Sequence, residues 1–170
     1  LAVEDAVKAH QRPKLERYDE TLFVVLKPAL YDDKSEIVEF GEIHLFIHDY
    51  FAVVVRHRRS SQLVDVRRSL EADVETLRLG PGSVLHAITE HVVDNYLTVL
   101  DGLELDIAQV EGDVFADSDV VPTERIYRLL RQVTNFSQST IPLVEPLDRL
   151  SKGSFVGVHP ELREYFRDTH

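Results

Sequence analysis

Residues 83–115 read SVLHAITEHVVDNYLTVLDGLELDIAQVEGDVF, which is the longest stretch of the chain with a helical period. Large apolar residues recur in it at every third or fourth position, which is the period of one face of an α-helix. The stripe consists of Val84, Ile88, Val92, Tyr96, Val99, Leu103, Ile107, Val110 and Val114. A helix over 84–116 would be about 50 Å long at 1.5 Å per residue. Its apolar face needs a partner, so we expect a second long helix beside it.

The partner helix is predicted directly downstream. The stretch DSDVVPTE at 117–124 is typical of a turn, with Pro122 and Thr123 restarting a helix. Its apolar stripe includes Ile126, Leu129 or Leu130, Val133, Phe136, Ile141 and Leu147. Pro142 and Pro146 are expected to kink or interrupt this second helix. The stretch SKGSFVGVH at 151–159 is predicted to be a link, and a final helix starts at Pro160.

The residues before the long helix predict a small antiparallel sheet with short helices. The run TLFVVLKPAL at 21–30 indicates a buried strand, and 41–58 indicates two strands around a turn at Asp49–Tyr50. A short helix over 2–10 and a helix ending before Gly80 flank this sheet. The predicted fold class is α+β. We divide the chain into the C-terminal part of an α/β subdomain at 1–80, the helical hairpin at 81–150, and a link with the start of a stalk helix at 151–170.

The composition narrows the class of protein. The chain has 30 Asp and Glu against 19 Lys and Arg, a net charge of −11, so we expect no nucleic-acid partner. Its longest apolar runs are about five residues, whereas a bilayer crossing needs roughly 20. The chain as given is therefore expected to be soluble. It has no cysteine, which excludes disulfides and thiolate metal sites. It also has no methionine and begins with Leu, which indicates a fragment of a longer gene product.

We expect the protein not to be an enzyme. GPGS at 80–83 lacks the ending of a phosphate-binding loop, and the sequence contains neither a Gly-x-Ser-x-Gly elbow nor a His-Glu-x-x-His helix. His44 and His48 alternate onto one strand face, where they form either a polar sheet surface or a pair of transition-metal ligands.

Several acids stand one helical turn apart. Glu90 follows His86 by four residues and precedes Asp94 by four, and Glu164 precedes Asp168 by four. Like charges at this spacing repel unless something neutralises them. Either these acids form a solvated face, or they attract a hard cation that prefers oxygen ligands.

The order of motifs resembles the cytoplasmic domain of the CorA family of magnesium and cobalt channels. The resemblance rests on LAVEDAVKAHQRPKLERYDETLFVVLK (1–27), HVVDNYLTVLDGLELDIAQVEGDVF (91–115), ERIYRLLRQV (124–133), PLVEPLDRL (142–150) and LREYFRD (162–168). The run VEDxxxxHQRPKxE is its most specific part, and the match spans essentially the whole chain. The zinc transporters of the same superfamily remain an alternative, as does a soluble helical scaffold without ion sensing.

The resemblance implies a role in metal ion transport. Members are homopentamers in the cell membrane, with a cytoplasmic funnel, a long stalk helix and two transmembrane helices that carry a Gly-Met-Asn pore signature. This chain would then be part of the funnel on the cytoplasmic side, attached to the membrane only through segments after the final RDTH. Alone, it is expected to be a monomer or a weak oligomer.

The resemblance also implies a regulatory cation site between subunits. Asp5 of one subunit and Asp168 of the next would share a divalent ion, with Glu4, Glu90 and His10 as nearby contributors. Mg²⁺ is the expected ion, with Co²⁺ or another divalent cation as alternatives.

Overall fold

The computed structural model describes residues 11–57, 63–115 and 123–169, which form six strands and six α-helices. The strands are β1 (Lys14–Tyr18), β2 (Thr21–Leu26), β3 (Ala29–Asp32), β4 (Ile37–Phe40), β5 (Glu42–Ile47) and β6 (Ala52–His57). The helices are α1 (Leu63–Ala72), α2 (Val74–Leu77), α3 (Gly82–Phe115), α4 (Thr123–Thr140), α5 (Val144–Lys152) and α6 (Leu162–Thr169). The predicted helix over 2–10 and most of the predicted turn at 117–124 lie outside the described residues.

Four strands form one antiparallel sheet in the order β1-β2-β5-β6. In its register Val24 lies opposite Leu15 on one side and Leu45 on the other. These residues belong to the apolar face, which packs against the helices. The α+β class and the antiparallel sheet are confirmed.

The prediction of a single strand over 21–30 is wrong. The run splits around Pro28 into β2 and β3, and β3 pairs with β4 in a separate two-stranded sheet. Proline has no N–H to donate to a ladder, so this is where strand pairing can change partner. Strand β1 was not predicted from the sequence either.

The opposite face of the four-stranded sheet is not a polar surface. Phe23, Val25 and His44 are fully buried on it. His44 Nε2 lies 2.5 Å from Glu42 Oε1, whereas the ring of His48 stacks on Phe51 at 5.0 Å. The two histidines therefore have different partners, and neither interpretation given for them above is correct for His44.

The long helix α3 comprises 34 residues, and most of its predicted apolar stripe is buried. Val84 is half-buried at the start of the helix, and Ile107 and Val114 are 37% and 42% exposed near its end. Helix α4 runs antiparallel beside α3, with the ring of Phe136 edge-on to Tyr96 at 5.5 Å. The chain leaves α4 through a 3₁₀ turn at Ile141–Leu143 that contains Pro142, and α5 follows. The helical hairpin and its interruption are therefore confirmed.

Helix α6 is attached to the rest of the domain by two apolar anchors. Leu162 and Phe166 are both 0% exposed and lie in the core cluster with residues of α3 and α5. None of the described helices is both long and apolar enough to span a bilayer.

We expect Phe166→Ala to lower the free energy of unfolding by about 3–5 kcal/mol, since it leaves a cavity under a short helix. Arg167→Ala, at an exposed position one residue away, should change it by less than about 0.5 kcal/mol. Urea unfolding followed by circular dichroism measures both. Equal effects of the two substitutions would contradict the anchoring of α6 by Phe166.

Candidate functional site

An acidic cleft of about 410 Å³ lies between α1–α2, the first turns of α3, and α6. Its acids are Asp65, Asp73, Glu90 and Asp94, and His86, His91 and Tyr165 also line it. His86, Glu90 and Asp94 follow one another at intervals of four residues on α3, so they lie along the same wall of the cleft. The cleft therefore concentrates carboxylates in a chain that already carries excess negative charge.

Two of the four acids have partners. Asp73 caps α2, accepting a hydrogen bond from Thr76 N–H at 3.1 Å and from Thr76 Oγ1 at 2.6 Å. These hydrogen bonds lower the pKa of Asp73, so its carboxylate is ionised but already bonded to Thr76. Asp65 lies 3.6 Å from Arg68.

Glu90 and Asp94 differ from those two. Both are exposed, and neither has a hydrogen-bond or ion-pair partner within the described ranges. They are one turn apart on α3, so their charges repel. These two carboxylates are the ones available to a cation in the cleft.

His86 forms the floor of the cleft under α6. Its side chain is buried, and its ring is edge-on to Tyr165 and Phe166, at 5.3 Å from each. Burial lowers the pKa of His86, and this effect outweighs the nearby charge of Glu90 and a hydrogen bond with the Tyr165 backbone, which both act to raise it. His86 is therefore a neutral packing residue near pH 7.

Asp168 is exposed on α6, and the cleft lining includes Tyr165 of that helix but not Asp168. The expected repulsion between Glu164 and Asp168 is partly offset, because Arg167 lies 4.0 Å from Glu164. Asp168 itself has no ion-pair partner among the residues described.

The predicted site residues are only partly placed. Glu90 lies in the cleft and Asp168 on the adjoining helix, whereas Glu4, Asp5 and His10 fall outside the described ranges. Gln11 is the first residue described after His10, and its N–H lies 3.2 Å from both carboxylate oxygens of Glu42. Within the described residues, no three His, Asp or Glu side chains converge closely enough to hold a metal ion.

The acids that α1 and α2 bring to the cleft were not predicted from the sequence. A signal for one of them was present, since Asp73 stands three residues before Thr76 at the start of a helix, the spacing of an N-cap. No residue of α1 is buried. For this reason, no comparable feature of the sequence predicted that α1 would lie across from α3.

These features describe an α+β domain with a long helical hairpin and an acidic cleft at its base. The model of the CorA-like Mg²⁺ transporter protein family matches residues 1–170, and the chain belongs to this family.

Two curated relatives match the whole chain. One is the cobalt/magnesium transport protein CorA of Thermotoga maritima, 24% identical over 171 residues, and the other is the putative metal ion transporter YfjQ of Bacillus subtilis, 25% identical over 170 residues. The chain spans about half the length of these relatives, 49% and 52% respectively.

Solved structures have the same fold. The full-length CmaX protein superposes with a TM-score of 0.81 at 18% identity, covering 99% of this chain and 51% of that one. The soluble domain of CorA from Methanocaldococcus jannaschii superposes with a TM-score of 0.72 at 20% identity, covering 94% of this chain and 63% of that one.

Stability should depend on pH through His86. A base whose folded pKa is lowered stabilises the protein fully above its unfolded pKa of about 6.5, and this contribution is lost as the pH falls below that value. In chelator-treated buffer, we expect the melting temperature of the wild type to fall between pH 7 and pH 5.5 more steeply than that of His86→Phe. His159→Gln, at an exposed histidine, should follow the wild type. If His86→Phe and the wild type fall in parallel, His86 is not the titrating group.

Proposed function

We propose that this chain is the cytoplasmic, divalent-cation-sensing domain of a CorA-type Mg²⁺/Co²⁺ channel in a cell membrane. The observation that carries the proposal is the family match over residues 1–170. The relatives are about twice as long, and in this proposal the remaining half of the parent protein supplies the membrane-spanning pore.

The distribution of acids supports a sensing role. Asp168, Glu90 and Asp94 are exposed carboxylates on two adjoining helices. Mg²⁺ usually keeps several of its waters and takes only one or two carboxylates from the protein. A site shared between subunits therefore needs few ligands from each chain. We propose that Asp5 and Asp168 are the shared pair, with Glu4, Glu90 and His10 acting through water.

Electrostatics then links the cation to channel opening. Two unit charges 4 Å apart repel by about 4 kcal/mol at an effective dielectric constant of 20. A bound Mg²⁺ removes this repulsion and joins neighbouring subunits of a pentamer, which favours the closed state. When Mg²⁺ falls, the repulsion returns and favours opening, so the transported ion regulates its own entry.

The test is Asp5→Asn with Asp168→Asn in the parent channel, reconstituted in liposomes. We expect the Mg²⁺ concentration that half-inhibits the flux to rise at least about fivefold, because the substitutions remove both the repulsion and the ion bridge. The matched control is Asp101→Asn with Glu104→Gln. It removes the same charge from exposed positions on α3 outside the cleft.

Inhibition that is unchanged in the test variant, or shifted equally in the control, would mean that these acids form only a solvated surface. Repeating the titration with Zn²⁺ and Co²⁺ identifies the ion. Strong inhibition by Zn²⁺ alone would favour the zinc transporters of the superfamily.

Assembly gives a separate prediction. The isolated 170-residue chain should be a monomer or a weak oligomer at micromolar concentration, since we propose that most of the pentamer contacts lie in the other half of the parent. Light scattering with and without Mg²⁺ measures this. A stable pentamer in the presence of a chelator would contradict it.

A further inference from the structure

The two-stranded sheet β3–β4 lies against the long helices. The chain from Ala29 to Phe40, which we name the strap, forms no strand ladder with the four-stranded sheet. The ring of Phe40 stacks on Phe136 of α4 at 6.3 Å, and Val38 N–H donates to Gln132 Oε1 of α4 at 3.1 Å. The strap therefore contacts α4 directly through both its apolar and its backbone groups.

The strap also contacts α3, at Gly102. A Cβ added there would lie 2.3 Å from the ring of Tyr31, so the ring occupies the space that any larger residue would need. The hydroxyl of Tyr31 donates to Asp106 one turn further along α3. Burial raises the pKa of Tyr31, and the hydrogen bond to Asp106 raises it further, so this donor stays protonated at any working pH.

Arg125 of α4 joins the strap and both helices. Its Nε donates to Glu36 of the strap at 2.7 Å, and its Nη2 lies 3.2 Å from Asp106 of α3. Gln109 and Asp113 of α3 accept from the same guanidinium at 2.9 and 3.3 Å. We name Glu36, Asp106 and Arg125 the Arg125 network.

Two features distinguish this network from an ordinary surface ion pair. The side chains of Glu36 and Asp106 are only 15% and 12% exposed, so salt screens them less than an exposed pair. Glu36 also has a φ of 55°, a left-handed conformation that is costly for a residue with a Cβ. The turn between β3 and β4 holds Glu36 in this strained conformation while its carboxylate contacts Arg125 and, at 3.3 Å, Arg128.

Apolar packing between α3 and α4 changes near the network. Closer to the sheet, Tyr96, Val99, Leu103 and Phe136 are buried. Level with the network, an open apolar groove of about 370 Å³ lies between the two helices. The groove exposes Ile107, Val114, Ile126, Leu130 and Val133 by 36–61%, while Val110 and Leu129 are buried. We call residues 105–115 and 123–133 the distal end of the hairpin.

We propose that the strap and the Arg125 network form a conformational latch that holds the distal ends of α3 and α4 together. Little apolar area is buried there, so the charged contacts carry a large share of the local stability. When the latch is released, the distal ends separate and the groove opens, while the four-stranded sheet and the buried part of the hairpin remain folded. The latch does not depend on cation sensing.

Amide hydrogen exchange of the 170-residue chain tests the latch, because it measures opening separately in each part of the fold. In Arg125→Gln we expect exchange at the distal end to accelerate by about tenfold, since several charge-assisted hydrogen bonds are lost. Amides of β2 and β5 should keep their wild-type rates. The control is Arg131→Gln, on the same helix, whose side chain has no ion-pair partner among the described residues. It should leave the distal rates unchanged.

A second pair of variants tests the strap without changing any charge. Gly112→Ala, with nothing within 4 Å of the added Cβ, should slow distal exchange, because alanine stabilises a helix relative to glycine. Gly102→Ala is the same substitution in the same helix, but it forces the Tyr31 ring away from α3. We therefore expect Gly102→Ala to accelerate distal exchange.

The combination of Glu36→Gln with Arg125→Gln separates a latch from independent contacts. In a latch, the second substitution adds little to the first, so the rates of the double variant should be close to those of Arg125→Gln. Distal rates unchanged in Arg125→Gln, an equal acceleration throughout the chain, or slower exchange in Gly102→Ala would each overturn the proposal.

Discussion

One apolar stripe on α3 must be buried, and the sheet and the other helices are arranged around it. Complete burial of a side chain such as Leu85 or Val92 is worth about 1.5–3 kcal/mol, so a helix of 34 residues cannot leave such a stripe in water. No single element is long enough to cover it. The sheet and α6 cover its first turns, the strap and α4 cover its middle, and the final turns remain partly exposed. Stability is therefore expected to decrease along α3 from the sheet towards Phe115.

The acids along α3 fall into two groups, those that contact a basic residue and those that do not. Acids near the middle and end of α3, such as Asp106 and Asp113, contact Arg125, so their charge contributes to tertiary structure. Glu90 and Asp94, near the beginning of α3, face the cleft without a basic partner among the described residues. Because apolar burial is greatest near the cleft, the domain can tolerate unpaired carboxylates there. At the distal end, where burial is small, Asp106 and Asp113 are paired with Arg125.

The elements whose apolar residues recur with a regular period could be predicted from the sequence. The elements that depend on contacts with particular distant residues could not. The period of α3 and α4, the β5–β6 hairpin and the break at Pro142 follow from local patterns. Strand β1, KLERY, carries a single buried apolar residue, Leu15, so nothing in its pattern predicts a strand. The strap depends on long-range contacts of Tyr31 and Glu36, which lie about 75 to 90 residues from their partners in sequence. For the cleft, spacing on α3 indicated that Glu90 and Asp94 share a face. That face could equally have been solvated, and only the arrangement of α1, α2 and α6 makes it concave.

Helix α3 is long enough to link the cleft to the Arg125 network. Glu90 in the cleft and Asp106 in the Arg125 network are 16 residues apart on one continuous helix, which corresponds to about 24 Å. A tilt of α3 by about 5° about Glu90 displaces Asp106 by roughly 2 Å. That displacement would stretch the 3.2 Å contact between Arg125 and Asp106 well beyond hydrogen-bond length, so the contact breaks unless α4 and the strap move with α3. A change at the cleft must therefore either carry α4 and the strap along with α3 or break the contacts of Arg125. The balance between these outcomes is set by the charged contacts at the distal end.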